Sequence, residues 1–155
     1  MAEGAREKLL FDVRILERHP FTSQTFIPVD LARDDGCAQS GEKEEPVFLV
    51  IVAPSLKGQV AKATVPATTG GGQKVLDIHD PPDLHNLRAF VGRGGQAVTY
   101  APGTWHAPMV VLGSRRVDFV VVQFMNGVAD EDCQEAAFGE GIVVDLGESA
   151  SMAKL

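Results

Sequence analysis

Two short segments of the chain hold acid–base and metal-ligating side chains at regular spacings. In the first, Glu17 and His19 are two residues apart, and Gln24 follows. An extended strand sends every second side chain to the same face, so Glu17 and His19 point in the same direction. In the second, Trp105 and His106 follow a Pro–Gly turn and precede a proline and an apolar run. A histidine in such an apolar setting suits acid–base chemistry near neutral pH.

Both segments also have a purely structural interpretation, which the residues alone leave open. Glu17 and Arg18 can be solvated charges that pair with each other, with His19 at the end of a strand. Trp105 can fill the core while His106 bonds a backbone carbonyl. Other candidates are weaker. The glycine run at 68–72 and the turn at 92–95 lack the following helix of a phosphate-binding motif. His79, within residues 78–80, and His85 are interpreted as loop residues.

The elements that must position these residues are predicted to be mostly strands. Short β-branched runs alternate with turn residues, and no sustained helical stripe is present. Val47–Ala53 is apolar throughout and bounded by prolines, which predicts a strand buried on both faces. A short helix is predicted over Asp130–Phe138, and a polar surface loop over 30–45. Further strands are predicted at 11–16, 21–29, 59–65, 74–78, 96–100, 109–112, 117–124 and 142–146, and 84–91 is predicted as a helix turn or a strand.

The charge balance and the cysteine content of the chain exclude several classes of protein. The 155 residues hold 14 Lys and Arg against 21 Asp and Glu, a formal charge of −7, which argues against a nucleic-acid or anionic-membrane partner. No apolar run approaches the roughly 20 residues that span a bilayer. Two cysteines, Cys37 and Cys133, make no disulfide framework and favour a reducing compartment. Cys133 has no nearby Lys, Arg or His to activate it. We therefore expect one cytoplasmic domain over 1–155 that handles a small molecule.

The spacing of the two segments resembles the paired motifs of cupin β-barrels, which supply four inward-facing ligands. Glu17-x-His19-x4-Gln24 falls on the first motif and Gly103-x-x-His106 on the second. Two ligand positions differ, with Glu in place of His and Gln in place of Glu. Glu17, His19, Gln24 and His106 still suit a divalent metal, or equally a metal-free acid–base pocket. The sequence leaves these two alternatives open.

Longer stretches resemble the ureidoglycolate lyase family over residues 15–146. This resemblance implies a cupin-like double-stranded β-helix (jelly-roll) domain with tails at 1–10 and 147–155, and a homodimer. It also implies cleavage of ureidoglycolate to glyoxylate and urea in allantoin and purine catabolism. The stretches that carry it are 17–28 (ERHPFTSQTFIP), 83–90 (DLHNLRAF), 95–100 (GQAVTY) and 103–108 (GTWHAP), with the strand at 117–122 and Cys133.

The resemblance also implies the pocket residues. Either His106 or His19 is expected to act as base, with Glu17 or the other histidine as acid. Arg18 is expected to hold the anionic substrate's carboxylate unless it pairs with Glu17. The remaining expected substrate contacts are Ser23, Gln24, Gln96, Tyr100 and Trp105.

Departures from the family pattern support a competing expectation. Ala107 stands where the family has a second histidine, and Gln123–Phe124 where it commonly has an Asp–Arg pair. Fewer residues also precede the ERHP stretch, so we expect either a barrel that lacks the family's N-terminal segment or a shorter variant that closes differently. The alternative is a catalytically degenerate cupin-like module that binds a small carboxylate or a partner subunit.

Overall fold

A computed structural model of the chain describes residues 8–29, 45–66, 72–112 and 116–148. These residues form eleven strands, one short helix and one 3-10 turn, and no helix among them is long and apolar enough to cross a membrane. The strands are β1 (Lys8–Arg18), β2 (Gln24–Val29), β3 (Val47–Ala53), β4 (Val60–Pro66), β5 (Gln73–His79), β6 (Arg88–Arg93), β7 (Val98–Tyr100), β8 (Trp105–His106), β9 (Val110–Leu112), β10 (Asp118–Gln123) and β11 (Gln134–Glu148); the helix α1 is Ala129–Asp132 and the 3-10 turn Leu84–Asn86.

The strands pair antiparallel in three sheets. The largest has the order β11-β1-β8-β3-β6, and β9 also pairs with β3. The second has the order β10-β2-β7, and β4 and β5 form a hairpin. This antiparallel, strand-rich architecture confirms the expected mainly β, cupin-like fold.

The continuous apolar sequence of β3 follows from burial on both faces. Phe48 and Val50 belong to a cluster with Tyr100, to which the second sheet adds Phe26 and Phe119. The alternate residues of β3 face the other way, because side chains alternate along a strand. They pack in a second cluster with Leu16, Trp105 and Ala136. The predicted strand at 47–53 is confirmed with the same bounds.

The predicted helix over 130–138 is wrong beyond its first turn. Only Ala129–Asp132 is helical, and Gln134 begins the long strand β11. Pairing with β1 overrides the local helical preference, since Leu16 lies opposite Ala136 and both are buried. The Asp132 carboxylate accepts the backbone N–H groups of Asn126 and Gly127, which holds the loop before the helix.

Other boundaries also differ from the predictions. The segment at 84–91 is a 3-10 turn followed by β6, and β2 begins at Gln24 rather than at residue 21. His79 ends a strand instead of lying in a loop. Strand β1 begins within the expected tail at 1–10, and β11 ends within the expected tail at 147–155. The predicted loop at 30–45 and the glycine run lie almost entirely outside the described residues, as does Cys37.

Candidate active site

Strand register brings the two motifs of the sequence together. Glu17, next to the end of β1, pairs with His106 of β8, and Gln24 at the start of β2 pairs with Tyr100 of β7. Glu17 and His19 lie on the same side of the extended chain, as the two-residue period predicts. The four elements therefore place their polar side chains in one cluster between the two larger sheets.

His106 lies at the centre of this cluster, with 1% of its surface exposed. Its Nδ1 lies 3.0 Å from the carbonyl oxygen of Thr104. Its Nε2 lies 3.0 Å from Gln24 Oε1 and 3.3 Å from a Glu17 oxygen. The Thr104 carbonyl and the Glu17 carboxylate are both acceptors, whereas the Gln24 amide can turn either its oxygen or its nitrogen toward Nε2.

Glu17 is the carboxylate that faces this histidine. The hydrogen bond from His106 lowers the pKa of the Glu17 carboxyl, the positive fields of His106 and His19 lower it further, and burial opposes the shift. Glu17 is the more exposed partner, with about a fifth of its side chain reaching solvent. The carboxylate is therefore ionised at neutral pH and gives the cluster a fixed negative charge.

His19 presents a buried nitrogen to the same cluster. Its Nδ1 lies 2.7 Å from the carbonyl oxygen of Asp132 and 2.8 Å from Gln123 Nε2. Its Nε2 is buried and has no hydrogen-bond partner among the described residues. The His19 and His106 ring centroids are 5.5 Å apart. An unpartnered buried nitrogen is costly, so a water, an ion or a ligand is expected to meet it.

Tyr100 offers a second unpartnered polar atom. Its ring stacks on His106, and its hydroxyl is buried without a hydrogen-bond partner among the described residues. Burial, helped by the negative field of Glu17, raises the Tyr100 pKa to about 12. The phenol is therefore neutral at physiological pH and can donate a hydrogen bond to a ligand oxygen.

The donor set fits a divalent metal ion. One ligand atom each from Glu17, His19 and His106 lies within 4.8 Å of the others. Imidazole and carboxylate ligands suit zinc and neighbouring transition metals, and the unpartnered His19 nitrogen is free for such a bond. Gln24, the fourth expected ligand, points its oxygen at His106 instead. These residues suit a metal and a metal-free acid–base pair alike.

Arg18 lies on the opposite side of the strand and is not free to hold a substrate carboxylate. Its guanidinium donates to Gln134 Oε1 from Nε at 2.9 Å and from Nη2 at 2.7 Å. It also donates to the carbonyl oxygens of His79 and Asp80 at 2.6 and 2.9 Å. With 5% of its surface exposed, Arg18 ties β1 to β5 and β11. Burial lowers its pKa, and Asp80 opposes this shift.

Trp105 also departs from the expected site. It adjoins His106 in β8 and so faces the other way, packing in the core cluster beneath the Arg18 guanidinium at 4.7 Å. Its Nε1 donates to the Asp80 carbonyl at 3.0 Å. Trp105 lines an open groove of about 960 Å³ together with residues of β5, α1 and β11, whereas His19 and His106 do not line it.

Ser23 and Gln96 do not meet the cluster either. Ser23 is exposed in the turn before β2, and its carbonyl accepts from Thr22. The side-chain oxygen of Gln96 accepts the backbone N–H of Arg93 at 2.7 Å and so closes the turn between β6 and β7. Their roles in the structure are local ones.

Gln123 is the site residue that sequence reasoning missed. It ends β10 directly opposite Gln24, and its Oε1 accepts from Gln24 Nε2 at 2.9 Å. Its own Nε2 reaches His19 Nδ1 and the Asp132 carbonyl. The available signal was the position of Gln123 near the end of the strand predicted over 117–124, where the family commonly has an Asp–Arg pair. Which residues lie beside Gln123 depends on which strand pairs with β10.

Cys133 lies near Glu17 and Glu135, and the three offer ligand atoms within 4.8 Å of one another. Burial raises the pKa of the Cys133 thiol, and the two carboxylates raise it further. A raised pKa keeps the thiol protonated, and the expectation that Cys133 is not an activated nucleophile stays a prediction.

Comparison with known proteins identifies the family of the chain. The family model described as ureidoglycolate lyase matches residues 1–145 of the chain. The chain belongs to the ureidoglycolate lyase family. This confirms the resemblance drawn from the ERHP and GTWH stretches.

Individual relatives agree with the family match. A ureidoglycolate lyase of Schizosaccharomyces pombe is 36% identical over 128 residues, covering 83% of this chain and 50% of the relative. A ureidoglycolate lyase of Saccharomyces cerevisiae is 32% identical over 145 residues, which cover 91% of this chain and 58% of the relative. A ureidoglycolate lyase of Burkholderia mallei is 33% identical over 119 residues, which cover 77% of this chain and 47% of the relative. The chain thus spans about half the length of these ureidoglycolate lyases.

Proposed function

We propose that the protein is a ureidoglycolate lyase, which cleaves ureidoglycolate to glyoxylate and urea. The observation that carries the proposal is the cluster in which the unpartnered His19 Nε2 and the Tyr100 hydroxyl adjoin the hydrogen-bonded pair of His106 and Glu17. Family membership supports ureidoglycolate as the substrate, since the relatives are called ureidoglycolate lyases. The cluster contains side chains that can accept or donate a proton.

The reaction requires one net proton transfer. The substrate carries a hydroxyl, a carboxylate and a ureido nitrogen on one carbon. The hydroxyl loses its proton, its O–H electron pair becomes the second carbon–oxygen bond, and the carbon–nitrogen bond breaks with its pair on nitrogen. That nitrogen gains a proton and leaves as urea. A positioned acid or base contributes about 10²–10⁴-fold to such a step.

Two proton paths are compatible with the cluster. In the first, His19 Nε2 takes the hydroxyl proton while the doubly protonated His106 protonates the departing nitrogen. In the second, His19 takes the proton from oxygen and returns it to nitrogen, since both atoms are bonded to the same carbon. In either path the Tyr100 hydroxyl donates to a substrate oxygen, and Gln24 contacts the ureido group.

A divalent ion held by Glu17, His19 and His106 would add Lewis-acid polarisation of the substrate hydroxyl. The chain's own contribution is then to orient the substrate through Tyr100 and Gln24 and to shield the reacting atoms from water. Turnover measured with and without a chelator separates this case from the metal-free one. A loss of rate that added metal restores supports the ion, and an unchanged rate supports the side chains alone.

The assay that tests the function is glyoxylate release from ureidoglycolate by the purified chain. Release that His106→Ala abolishes while the variant keeps its far-UV circular dichroism supports the lyase. Full activity in that variant removes His106 from the mechanism, and no glyoxylate from the wild type under any metal condition rejects the activity.

One observation favours a binding module as the second candidate. His106 is almost fully buried, and both of its ring nitrogens lie within hydrogen-bond distance of protein atoms. A histidine with a purely structural role has such surroundings. A degenerate module would bind glyoxylate or a similar small carboxylate without turnover. Calorimetric binding in the absence of glyoxylate release would identify it.

We also propose that the chain acts as a single cupin-like domain, as a homodimer, in the cytoplasm and in purine breakdown through allantoin. The two cysteines support a reducing compartment. The outer face of the second sheet supports association, since Val120 and Val122 of β10 are about half exposed beside Ile27. Light scattering after size exclusion at several protein concentrations tests the proposed homodimer, and a strict monomer would count against it.

A further inference from the structure

We propose that Asp132 is a positioning residue, and that it fixes the orientation of the His19 ring in the cluster. Asp132 uses two separate groups for this. Its backbone carbonyl oxygen lies 2.7 Å from His19 Nδ1, and its carboxylate binds the backbone of the loop that precedes α1. The consequence for catalysis rests on the proposed function, whereas the orientation of the ring does not.

The orientation of the His19 ring depends on what holds its Nδ1. The torsion that turns a histidine ring about its bond to Cβ is broad, so packing and polar contacts must select the angle. With Nδ1 at the Asp132 carbonyl, the other nitrogen, Nε2, is buried and left for a ligand beside His106. Without that carbonyl, the amide of Gln123 would be the remaining described polar contact of Nδ1.

The carbonyl of Asp132 is available to His19 because of its place in the chain. Asp132 is the last residue of α1, and carbonyl groups at the end of a helix have no partner within the helix. Its own N–H donates to the Val128 carbonyl at 2.8 Å, and Gln134, two residues later, begins β11. The backbone is therefore held on both sides of this carbonyl.

The Asp132 carboxylate adds the third constraint. Its Oδ1 accepts the N–H of Asn126 and its Oδ2 accepts the N–H of Gly127, each at 2.8 Å. The residue is 6% exposed, and hydrogen bonds to a carboxylate are stronger than those between neutral groups. Because both oxygens bind the backbone of the loop, the carboxylate is not offered to a substrate. Asp132 therefore acts on the reaction through His19.

Loss of this clamp should lower kcat and leave KM almost unchanged. Asp132→Asn keeps the shape of the side chain but sets an amide NH₂ group against one of the two backbone N–H groups. Groups that orient a catalytic or metal-binding histidine typically contribute about 10–100-fold to activity, and we expect kcat to fall by that factor. KM should stay within twofold, because Tyr100 and Gln24 are the proposed substrate contacts.

Two control variants separate orientation from stability, with all rates expressed per folded molecule. Asp130→Asn makes the same change on an exposed residue of the same helix and should leave kcat within twofold of the wild type. Gly92→Ala overpacks the distant contact of β6 with β3 and should reduce the folded fraction without changing kcat. An equal fall of kcat in Gly92→Ala and Asp132→Asn would assign Asp132 to stability alone and overturn the proposal.

A nuclear Overhauser effect between the ring protons of His19 and His106 reports the orientation without any substrate. The two ring centroids are 5.5 Å apart, and single substitutions among the four histidines assign the rings. At one fixed pH we expect the effect in the wild type and in Asp130→Asn, and a weaker one in Asp132→Asn. Its absence from the wild type, or an unchanged effect in Asp132→Asn, overturns the proposal. The expected pattern without glyoxylate release retains the orienting role and rejects the lyase function.

A double variant tests whether Asp132 acts through His19. In a His19→Ala background, Asp132→Asn should change kcat by less than twofold, because the ring that it orients is gone. A fall as large as in the wild-type background would overturn the proposal. If Asp132→Asn does not fold, the same comparisons are made with Asp132→Ser, which removes the repulsion between the amide nitrogen and the backbone N–H.

Discussion

The imidazole of His106 lies almost flat on the phenol ring of Tyr100, with 3.9 Å between centroids and 14° between planes. This contact joins the second sheet to β8. It also holds the Tyr100 hydroxyl at the buried cluster, where it has no partner among the described residues. The phenol is thereby kept neutral and ready to donate a hydrogen bond.

Tyr100 should titrate far above an ordinary tyrosine. It is the single tyrosine of the chain, so phenolate absorbance near 295 nm reports it alone. With its pKa raised to about 12 in the folded state, its contribution to stability is complete below about pH 10, the unfolded value, and is lost as pH rises toward 12. A midpoint near 10 in the folded protein would contradict the buried placement.

Glu17→Gln should destabilise the fold in a pH-dependent manner. The Glu17 pKa is lowered in the folded state, so its stabilising effect is present above the unfolded value of about 4.5 and disappears as pH falls through the lowered folded value. The amide oxygen of the variant can still accept a hydrogen bond, so the charge is what is lost, and a hydrogen bond to a charged group exceeds a neutral one by about 1 kcal/mol. Urea unfolding at pH 7 should show this difference, and measurements at progressively lower pH should show it shrinking. A difference that is the same at every pH would refute the lowered pKa of Glu17.

Arg18→Met should lower stability without weakening substrate binding. The substitution leaves the carbonyls of His79 and Asp80 and the Gln134 oxygen without their donor. One buried unsatisfied group costs about 1–3 kcal/mol, so a loss of at least about 2 kcal/mol is expected. KM for ureidoglycolate should stay within twofold of the wild type at a temperature where both are folded. A large rise in KM with little loss of stability would restore Arg18 as a carboxylate ligand.

Gly92→Ala should destabilise the largest sheet by overpacking. Gly92 of β6 lies opposite Phe48 of β3, and a methyl group there would overlap the phenylalanine ring. Overpacked core sites cost about 1–3 kcal/mol. Gly139→Ala is the control, because a methyl group there meets open space and should have a smaller effect. Gly127→Ala is unsuitable as a control, since the positive φ of Gly127 would strain any other residue. Equal losses in the two variants would argue against this packing.

Local periodicity predicts much of the fold and half of the site. The apolar run of β3 and the shared face of Glu17 and His19 follow from the sequence because they depend on single strands. The same period turns Arg18 and Trp105 away from the face of Glu17 and His106, although both were expected to contact the substrate. Gln123 and the strand at 134–148 depend on pairing with residues about 100 positions away, which no local pattern encodes.

The central claim is that the cluster of Glu17, His19 and His106 cleaves ureidoglycolate. The most direct test is the rate of glyoxylate release by the wild type, by His19→Ala and by the exposed control Gln73→Met, at equal concentrations of folded protein. We predict turnover in the wild type and the control, and a loss of at least about 10²-fold in His19→Ala, the lower range for an acid–base group. Wild-type turnover that survives unchanged in His19→Ala would contradict the account.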